Sequence, residues 1–322
     1  MAVGIKEIGE QVGVSVSTVS HILSGRGSRY AAKTRDAVLA GAKELGYVPN
    51  ATARALVTGR TNRIAFWVPD LAGRFFHEQT CRFHKLLRHD HYEMISGEFD
   101  WYMSDPSRSV GFTRMDVDGV LMFGGSLGGL RDVVERNFPT KAPIVNLGTQ
   151  CEGNLDFVKI DLCQATRDAM QYLIQAGRRR IAHLYLGQDE RYQAYLDALQ
   201  AAGLPPELIP CTDGTKERVR ETVKKHIKKS GCPEAIFCWN DEAALAALRG
   251  LRELGRRVSE DVWLVGCDGI EDLDYLDAPI STIVAPMEKV CATAWKFLRN
   301  RMRDPGMTQQ VAEFAARFIK RS

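Results

Sequence analysis

No stretch of this chain is long and apolar enough to span a bilayer. Its longest apolar runs, such as Ile64–Val68 and Val262–Val265, fall far short of the roughly 20 residues a membrane helix needs. The N-terminus has the charged pair Lys6-Glu7 and no apolar core after it, so no export signal is read and a cytoplasmic protein without a membrane partner is expected. Eight cysteines are scattered without a C-x-x-C pair, and a chain of 322 residues can build a core without staples. They read as reduced, mostly buried thiols. No histidine spacing suggests zinc, and neither metal nor cofactor is expected. Low-complexity tracts and internal repeats are also missing. With 45% hydrophobic and 26% charged residues, the composition excludes a disordered chain, collagen and a membrane bundle.

Strong net charge is absent too, at only +3, but the charge is unevenly spread. Residues 1–60 carry eight Lys/Arg against four Asp/Glu, a net of +4, which leaves −1 for the other 262. A small basic head on a near-neutral body is a mild nucleic-acid signal. Within the head, Ile5, Ile8 and Val12 form one apolar stripe of a two-turn helix, and Gly13 can end it in a left-handed conformation. Ser15 then offers an N-cap hydroxyl to a second helix buried through Val19, Ile22 and Leu23. The other side of that helix holds Val16, Ser17, Ser20 and His21. A third helix through Thr34, Val38, Ala42 and Leu45 stops at Gly46, with Pro49 beyond. Helix, glycine turn, helix is the pattern that places a second helix in the DNA major groove, although short amphipathic helices also form ordinary clusters.

The residue order from Ile5-Lys6-Glu7-Ile8-Gly9 to Val14-Ser15-Val16-Ser17-Thr18-Val19-Ser20 resembles the DNA-binding head of the LacI/GalR repressor family. So do Ala32-Lys33-Thr34-Arg35 and Glu44-Leu45-Gly46-Tyr47-Val48-Pro49-Asn50. The resemblance implies that Val16, Ser17 and His21 read base edges and that Thr18 and Ser20 meet phosphate; Ser15 is counted among the DNA-binding residues with them. It also implies a hinge helix from Asn50 to Thr58, including Ala53 and Arg54, with Leu56 wedging into the minor groove. A helix that short is unstable alone, so it should form only against DNA and a twin. An inserted apolar side chain bends the duplex. Valine can only touch a thymine methyl, so the operator sequence is not legible.

From Arg63 onward, short apolar runs alternate with helical patterns. Expected strands are Ile64–Val68, Glu93–Ser96, Gly119–Phe123, Pro143–Leu147, Phe157–Ile160, Ile181–Leu186, Ala235–Trp239, Val262–Gly266 and Thr282–Val284. Helical patterns fall at 75–90, 130–137, 164–176, 190–202, 216–229, 241–254 and 287–303. This alternation predicts an α/β fold, two doubly wound parallel-sheet lobes behind the all-α head, with a ligand site in the cleft at the strands' carboxyl ends. The expected division is 1–49 for the head, 50–60 for hinge and linker, 61–161 plus 288–322 for the first lobe, and 162–287 for the second. Three chain crossings should hinge them, near 161, near 287 and at the end of the return.

The body is similar to the family's effector-binding core, a relative of periplasmic sugar-binding proteins. The segments that carry this are Gly177-Arg178-Arg179-Arg180-Ile181-Ala182, Arg191-x-x-Ala194-Tyr195, Ala235 through Trp239-Asn240-Asp241, and Val265-Gly266-Cys267-Asp268. The resemblance implies effector contacts from Arg191, Asn240 and Asp268, with Asp161, Phe75 and the loop at Ser126 as further candidates. Ala194 stands in place of a usual glycine and Gly269 in place of a usual aspartate. Trp239 either stacks on a ligand or fills the core. An arginine fork, a carboxylate and an aromatic suit a polyhydroxylated, sugar-like ligand. The reading is therefore a homodimeric regulator, more a repressor than an activator, that binds a pseudo-palindromic double-stranded operator. The end at Arg321-Ser322 without a leucine heptad favours a dimer over a tetramer.

Two rivals stand beside it. One is a DNA-binding regulator whose cleft answers to a protein partner instead of a small molecule. The other is a hydrolase, because Gly124-Gly125-Ser126-Leu127-Gly128 reads G-x-S-x-G after a strand. Such an enzyme needs a downstream histidine. Only His183, inside a strand, and His226, in the basic run 224–229, lie beyond Ser126. No enzyme is expected.

Overall fold

The structure is a computed structural model, which describes residues 4–23, 27–47, 59–98, 117–124, 142–149 and 154–321. The chain divides into two compact units, 1–61 and 62–322.

In the first unit, α1 (Ile5–Val12), α2 (Val16–Leu23), a 3-10 turn at Gly27–Arg29 and α3 (Ala32–Glu44) surround a core of Ile8, Val19, Ile22, Val38 and Ala42. Gly13 has φ +74°, and its N–H and that of Val14 both return to the Gly9 carbonyl, at 2.9 and 3.0 Å. That left-handed residue ends α1 and redirects the chain into α2 within three residues. The expected hinge segment, with Asn50, Ala53, Arg54 and Leu56, lies outside the described residues.

The second unit holds two six-stranded sheets. The first is built from β1 (Arg63–Val68), β2 (Glu93–Glu98), β3 (Gly119–Phe123), β4 (Ile144–Gly148), β5 (Asp156–Asp161) and β11 (Val311–Ala315), in the order β11-β5-β4-β3-β1-β2. The second takes β6 (Ile181–Tyr185), β7 (Glu207–Pro210), β8 (Ala235–Cys238), β9 (Trp263–Cys267), β10 (Ser281–Val284) and β12 (Arg317–Ile319), in the order β12-β10-β9-β8-β6-β7. Every pairing is parallel except β10 with β12. Helices α4 (Arg74–His89) and α9 (Met287–Arg303) pack on the first sheet's side. On the second sheet's side lie α5 (Cys163–Gln175), α6 (Glu190–Ala201), α7 (Lys216–Ser230) and α8 (Asp241–Glu253). The inner strands β3 and β8 are buried at every residue, as strands covered on both faces must be.

Each of the nine expected strands is present, shifted by at most two residues at an end, and three more join them. β7, β11 and β12 are all edge strands with partly exposed side chains. The expected helix at 130–137 lies outside the described residues. The allocation of all of 288–322 to the first lobe needs one correction. After β11 the chain spends a single residue, Ala316, before β12 pairs antiparallel with β10 in the second sheet. Ala316 N–H donates to the Asp161 carbonyl at 2.9 Å, tying this third crossing to the first. Helix α9, by contrast, buries Val290, Trp295 and Leu298 on the first lobe, worth about 1.5–3 kcal/mol for each such side chain.

Candidate functional site

Two places bring the expected site residues together, one on each unit. On the head, Ser15 Oγ accepts the Thr18 N–H at 3.2 Å and lies 2.9 Å from both Ser17 Oγ and Thr18 Oγ1. The cap and a linked cluster of hydroxyls therefore share the N-terminus of α2. Beside them Val16 is 43% exposed, an uncommon placement for a large apolar side chain and one suited to meeting another surface. His21 sits one turn on, with its ring stacked on Tyr30 and Nδ1 accepting from Arg29 Nη2 at 2.6 Å. Because Arg29 can only donate, Nδ1 must accept, which puts the proton on Nε2. Sequence reasoning missed Arg29 and Tyr30, since the contact closes only when the 3-10 turn folds back on α2.

On the body, a cavity of about 870 Å³ opens between the lobes, a size typical of ligand sites. Its walls are the segments that follow strand carboxyl ends: Asp70 after β1, Glu98 closing β2, Gly124 after β3 and Thr149 after β4 from the first lobe. The second lobe supplies Asp189 after β6, Asp213 after β7, Asn240 after β8 and Asp268 after β9. Phe75 and Phe76 from α4 meet Phe123 edge-on, both at 5.4 Å, and form an apolar side wall.

Arg191 lies on the cavity wall and is heavily engaged. Its Nε donates to Asp189 Oδ2 at 2.8 Å, Nη2 reaches the same oxygen, and Nη1 donates to the Trp239 carbonyl. Asp189 also caps α6 by accepting the N–H groups of Arg191 and Tyr192, at 2.9 and 3.2 Å. Burial opposes the charge on Asp189, but the neighbouring guanidinium and these bonds hold its carboxyl below the usual range. Trp239 is 9% exposed, belongs to the apolar core and also lines the cavity, so it sits where core and cavity wall meet. Asn240 Oδ1 caps α8 through the Ala243 N–H at 2.8 Å, which leaves the amide nitrogen as the group it can turn to the cavity.

Asp268 lines the cavity with φ +117°, an unusual backbone for a non-glycine residue. Burial, then the charge of Asp241, push its carboxyl well above the usual range. Asp241 anchors this turn from below, accepting from Thr282 Oγ1 and Gly269 N, both at 2.6 Å, and from Ile270 N at 2.9 Å. Burial raises its carboxyl to about 7. Gly269 has φ +71°, and a Cβ there would fall 2.6 Å from Val284 Cγ2, so an aspartate in that place would strain this turn and displace Val284.

Asp161 does not line the cavity. Its Oδ1 accepts the Cys163 N–H at 2.9 Å and Glu190 Oε1 accepts the Leu162 N–H at 2.7 Å, so both fasten the first crossing between lobes. Asp161, Cys163 and Glu190 bring three ligand-type atoms within 4.8 Å of one another. Burial, followed by those two carboxylates, raises the Cys163 thiol to about 11, which opposes a metal-ready thiolate. His183, set aside above as a strand residue, reaches the cavity while its Nδ1 bonds the Phe237 carbonyl at 3.0 Å. Burial lowers it to about 4, so it is neutral. Ser126 lies outside the described residues. Among the described residues no helix is long and apolar enough to cross a membrane.

Residues 4–50 match the bacterial regulatory proteins of the lacI family, and residues 170–322 match a periplasmic binding protein-like domain. The HTH-type transcriptional regulator CelR of Thermobifida fusca is 31% identical over 307 residues, covering 90% of this chain and 89% of that protein. The chain belongs to the lacI family. As a lacI-family member it is a DNA-binding transcription regulator with a small-molecule effector domain. The HTH-type transcriptional repressor PurR of Vibrio atlanticus is 28% identical over 330 residues, covering 99% of this chain and 97% of that one. Among solved structures, a CelR–cellobiose complex matches with TM-score 0.68 and 25% identity over 99% of both chains. A lac repressor bound to ONPG in its repressed state shares the fold at TM-score 0.83 and 21% identity, over 100% of this chain and 99% of that one.

Proposed function

We propose that this lacI-family chain acts as a homodimeric repressor in the cytoplasm, whose hold on a pseudo-palindromic operator is set by a sugar-like molecule in the inter-lobe cavity. The observation that carries this is the cavity itself, walled by strand ends from both lobes and spanned by short chain crossings at Leu162, Ala285–Pro286 and Ala316. A ligand touching both lobes binds one lobe arrangement better than another, and that difference is the whole of its leverage on the DNA-binding form. The cellobiose bound to CelR and the ribose bound to a LacI-family regulator from Enterococcus faecium support a carbohydrate-like occupant.

On the DNA side, Val16, Ser17 and His21 meet base edges, and Thr18 and Ser20 meet phosphate. Ser15 serves chiefly as the helix cap that holds them. Asn50, Ala53, Arg54 and Leu56 form the hinge that enters the minor groove. Phe75, Arg191, Trp239, Asn240 and Asp268 contact the effector, with Ser126 as a further candidate contact. The relatives are regulators, and we read this chain as non-catalytic. Selection of bound genomic fragments with the full chain, followed by operator titration with and without sugars, tests the reading. Leu56→Ala is expected to weaken operator binding about tenfold with the body's melting unchanged, because the wedge is what stabilises the bend. Unaltered affinity would remove the hinge from the reading.

A further inference from the structure

The cavity's charges are lopsided. Its two described cations are already committed, Arg191 to Asp189 and Lys216 Nζ to Glu242 Oε1 at 2.9 Å. Asp213 pairs with Arg218 at 3.4 Å. Three further lining carboxylates, Asp70, Glu98 and Asp268, have no ion-pair partner among the described residues. Among the described residues, Asp70 and Glu98 accept only from backbone N–H groups, those of Ala72, Gly73 and Leu71, at 2.9–3.1 Å.

The two lobes also oppose like charges across the cleft. A Cβ placed on Gly73 would lie 2.8 Å from Asp70 Oδ2 and 3.1 Å from Glu242 Oε2, so a carboxylate of each lobe flanks the same point. Closing the cleft on an anion would add a fourth unmatched negative group to a half-buried space. A cation would instead be drawn in by three carboxylates and by the electron-rich faces of the Phe75, Phe76 and Phe123 cluster.

We infer that the effector carries a positive charge: it is an amine-bearing polyol, an amino sugar in the simplest case, whose ammonium group is read by Asp268 with Asp70 on the opposite lobe. This rests on the effector reading given above and narrows its chemistry. Burial and the neighbouring Asp241 penalise a charge on Asp268, and a bound ammonium would offset that penalty. The tie between Arg191 and Asp189 then has a consequence. With its guanidinium held by Asp189 and the Trp239 carbonyl, Arg191 offers little to a phosphate.

Calorimetric titration of the full chain with three matched series tests this: glucosamine, glucose and glucose 6-phosphate, then the galactose and mannose counterparts. In any series that binds, the amine should bind about tenfold or more tighter than its neutral parent, the worth of one matched ion pair in such a site. The phosphate should give no detectable heat. Asp268→Asn should cost the amine more affinity than the neutral parent and so level the series. If that variant fails to fold, Asp70→Asn at the exposed side of the cleft provides the same comparison. A neutral or phosphorylated member that binds as tightly as its amine overturns the charge assignment and leaves the sugar reading standing. No binding in any series overturns both.

Discussion

The head and the body solve recognition in opposite ways. Among the described residues, the head presents its expected contacts from one contiguous stretch, residues 15–21, held by five buried side chains beneath it. Those contacts include small, exposed and locally bonded side chains, as Ser15 and Ser17 illustrate. The body gathers its site from loops as far apart in sequence as Asp70 and Ala285, and fixes them by half-buried ion pairs and caps. A contiguous surface can be changed residue by residue with local effect. A gathered cavity cannot, because each side chain also holds up the loop it sits on.

The largest expected difference comes from Arg191→Ala. It would leave Asp189 in the cavity wall without its cation and cost the body about 3 kcal/mol, the low end for a broken buried pair because both side chains keep some exposure and two backbone N–H groups still bond that carboxylate. Effector response should vanish. Operator affinity should survive below the lowered melting temperature, and its loss there would show the two units to be less separable than argued. Denaturant unfolding beside operator titration reads both.

Acid should also separate them. His183 in the body has its pKa lowered to about 4 from an ordinary 6.5, so between those values the unfolded chain binds more protons than the folded one. The stability it contributes is complete above pH 6.5 and is lost as pH falls through 4, roughly 3 kcal/mol in all. His183→Gln should flatten that part of the body's melting curve against pH. An unchanged slope would assign it to other groups.

Two smaller changes probe the head. A Cβ on Gly41 would stand 2.9 Å from Val12 Cγ2, where α3 meets α1, so Gly41→Ala should destabilise the head by about 2 kcal/mol and lower operator affinity. The body's thermal transition should not move. Ser15→Ala removes the cap of α2 at a cost of about 1 kcal/mol, with operator affinity as the readout. Should Ser15→Ala weaken DNA binding far beyond that, Ser15 touches DNA directly and is more than a cap.

Much of the fold was legible because its inner strands are continuous apolar runs and its helices carry clear stripes. The three strands missed are edges: Glu207–Pro210 contains a proline, and Val311–Ala315 and Arg317–Ile319 show half-exposed side chains. An edge strand needs neither a full apolar run nor every ladder bond, so its pattern is weak. The same partial view affected the site. Arg191, Trp239, Asn240, Asp268 and Phe75 line the cavity, while Asp161 fastens a crossing. Asp70, Glu98 and Asp189 went unremarked, though each falls at or just after a strand's carboxyl end. A walk along the strand ends would have collected them.

Sequence alone therefore determined what depends on neighbours along the chain. The three-helix head, the capping serine, the alternation that makes parallel sheets and the glycine-ended turns are all set by interactions a few residues long. Tertiary structure alone decided which carboxylates face one another, which cation is already paired and which lobe the last strand joins. Those outcomes depend on charges and backbones brought together from distant positions. A single residue, Ala316, carries the chain from one sheet to the other, and nothing local to it marks that change.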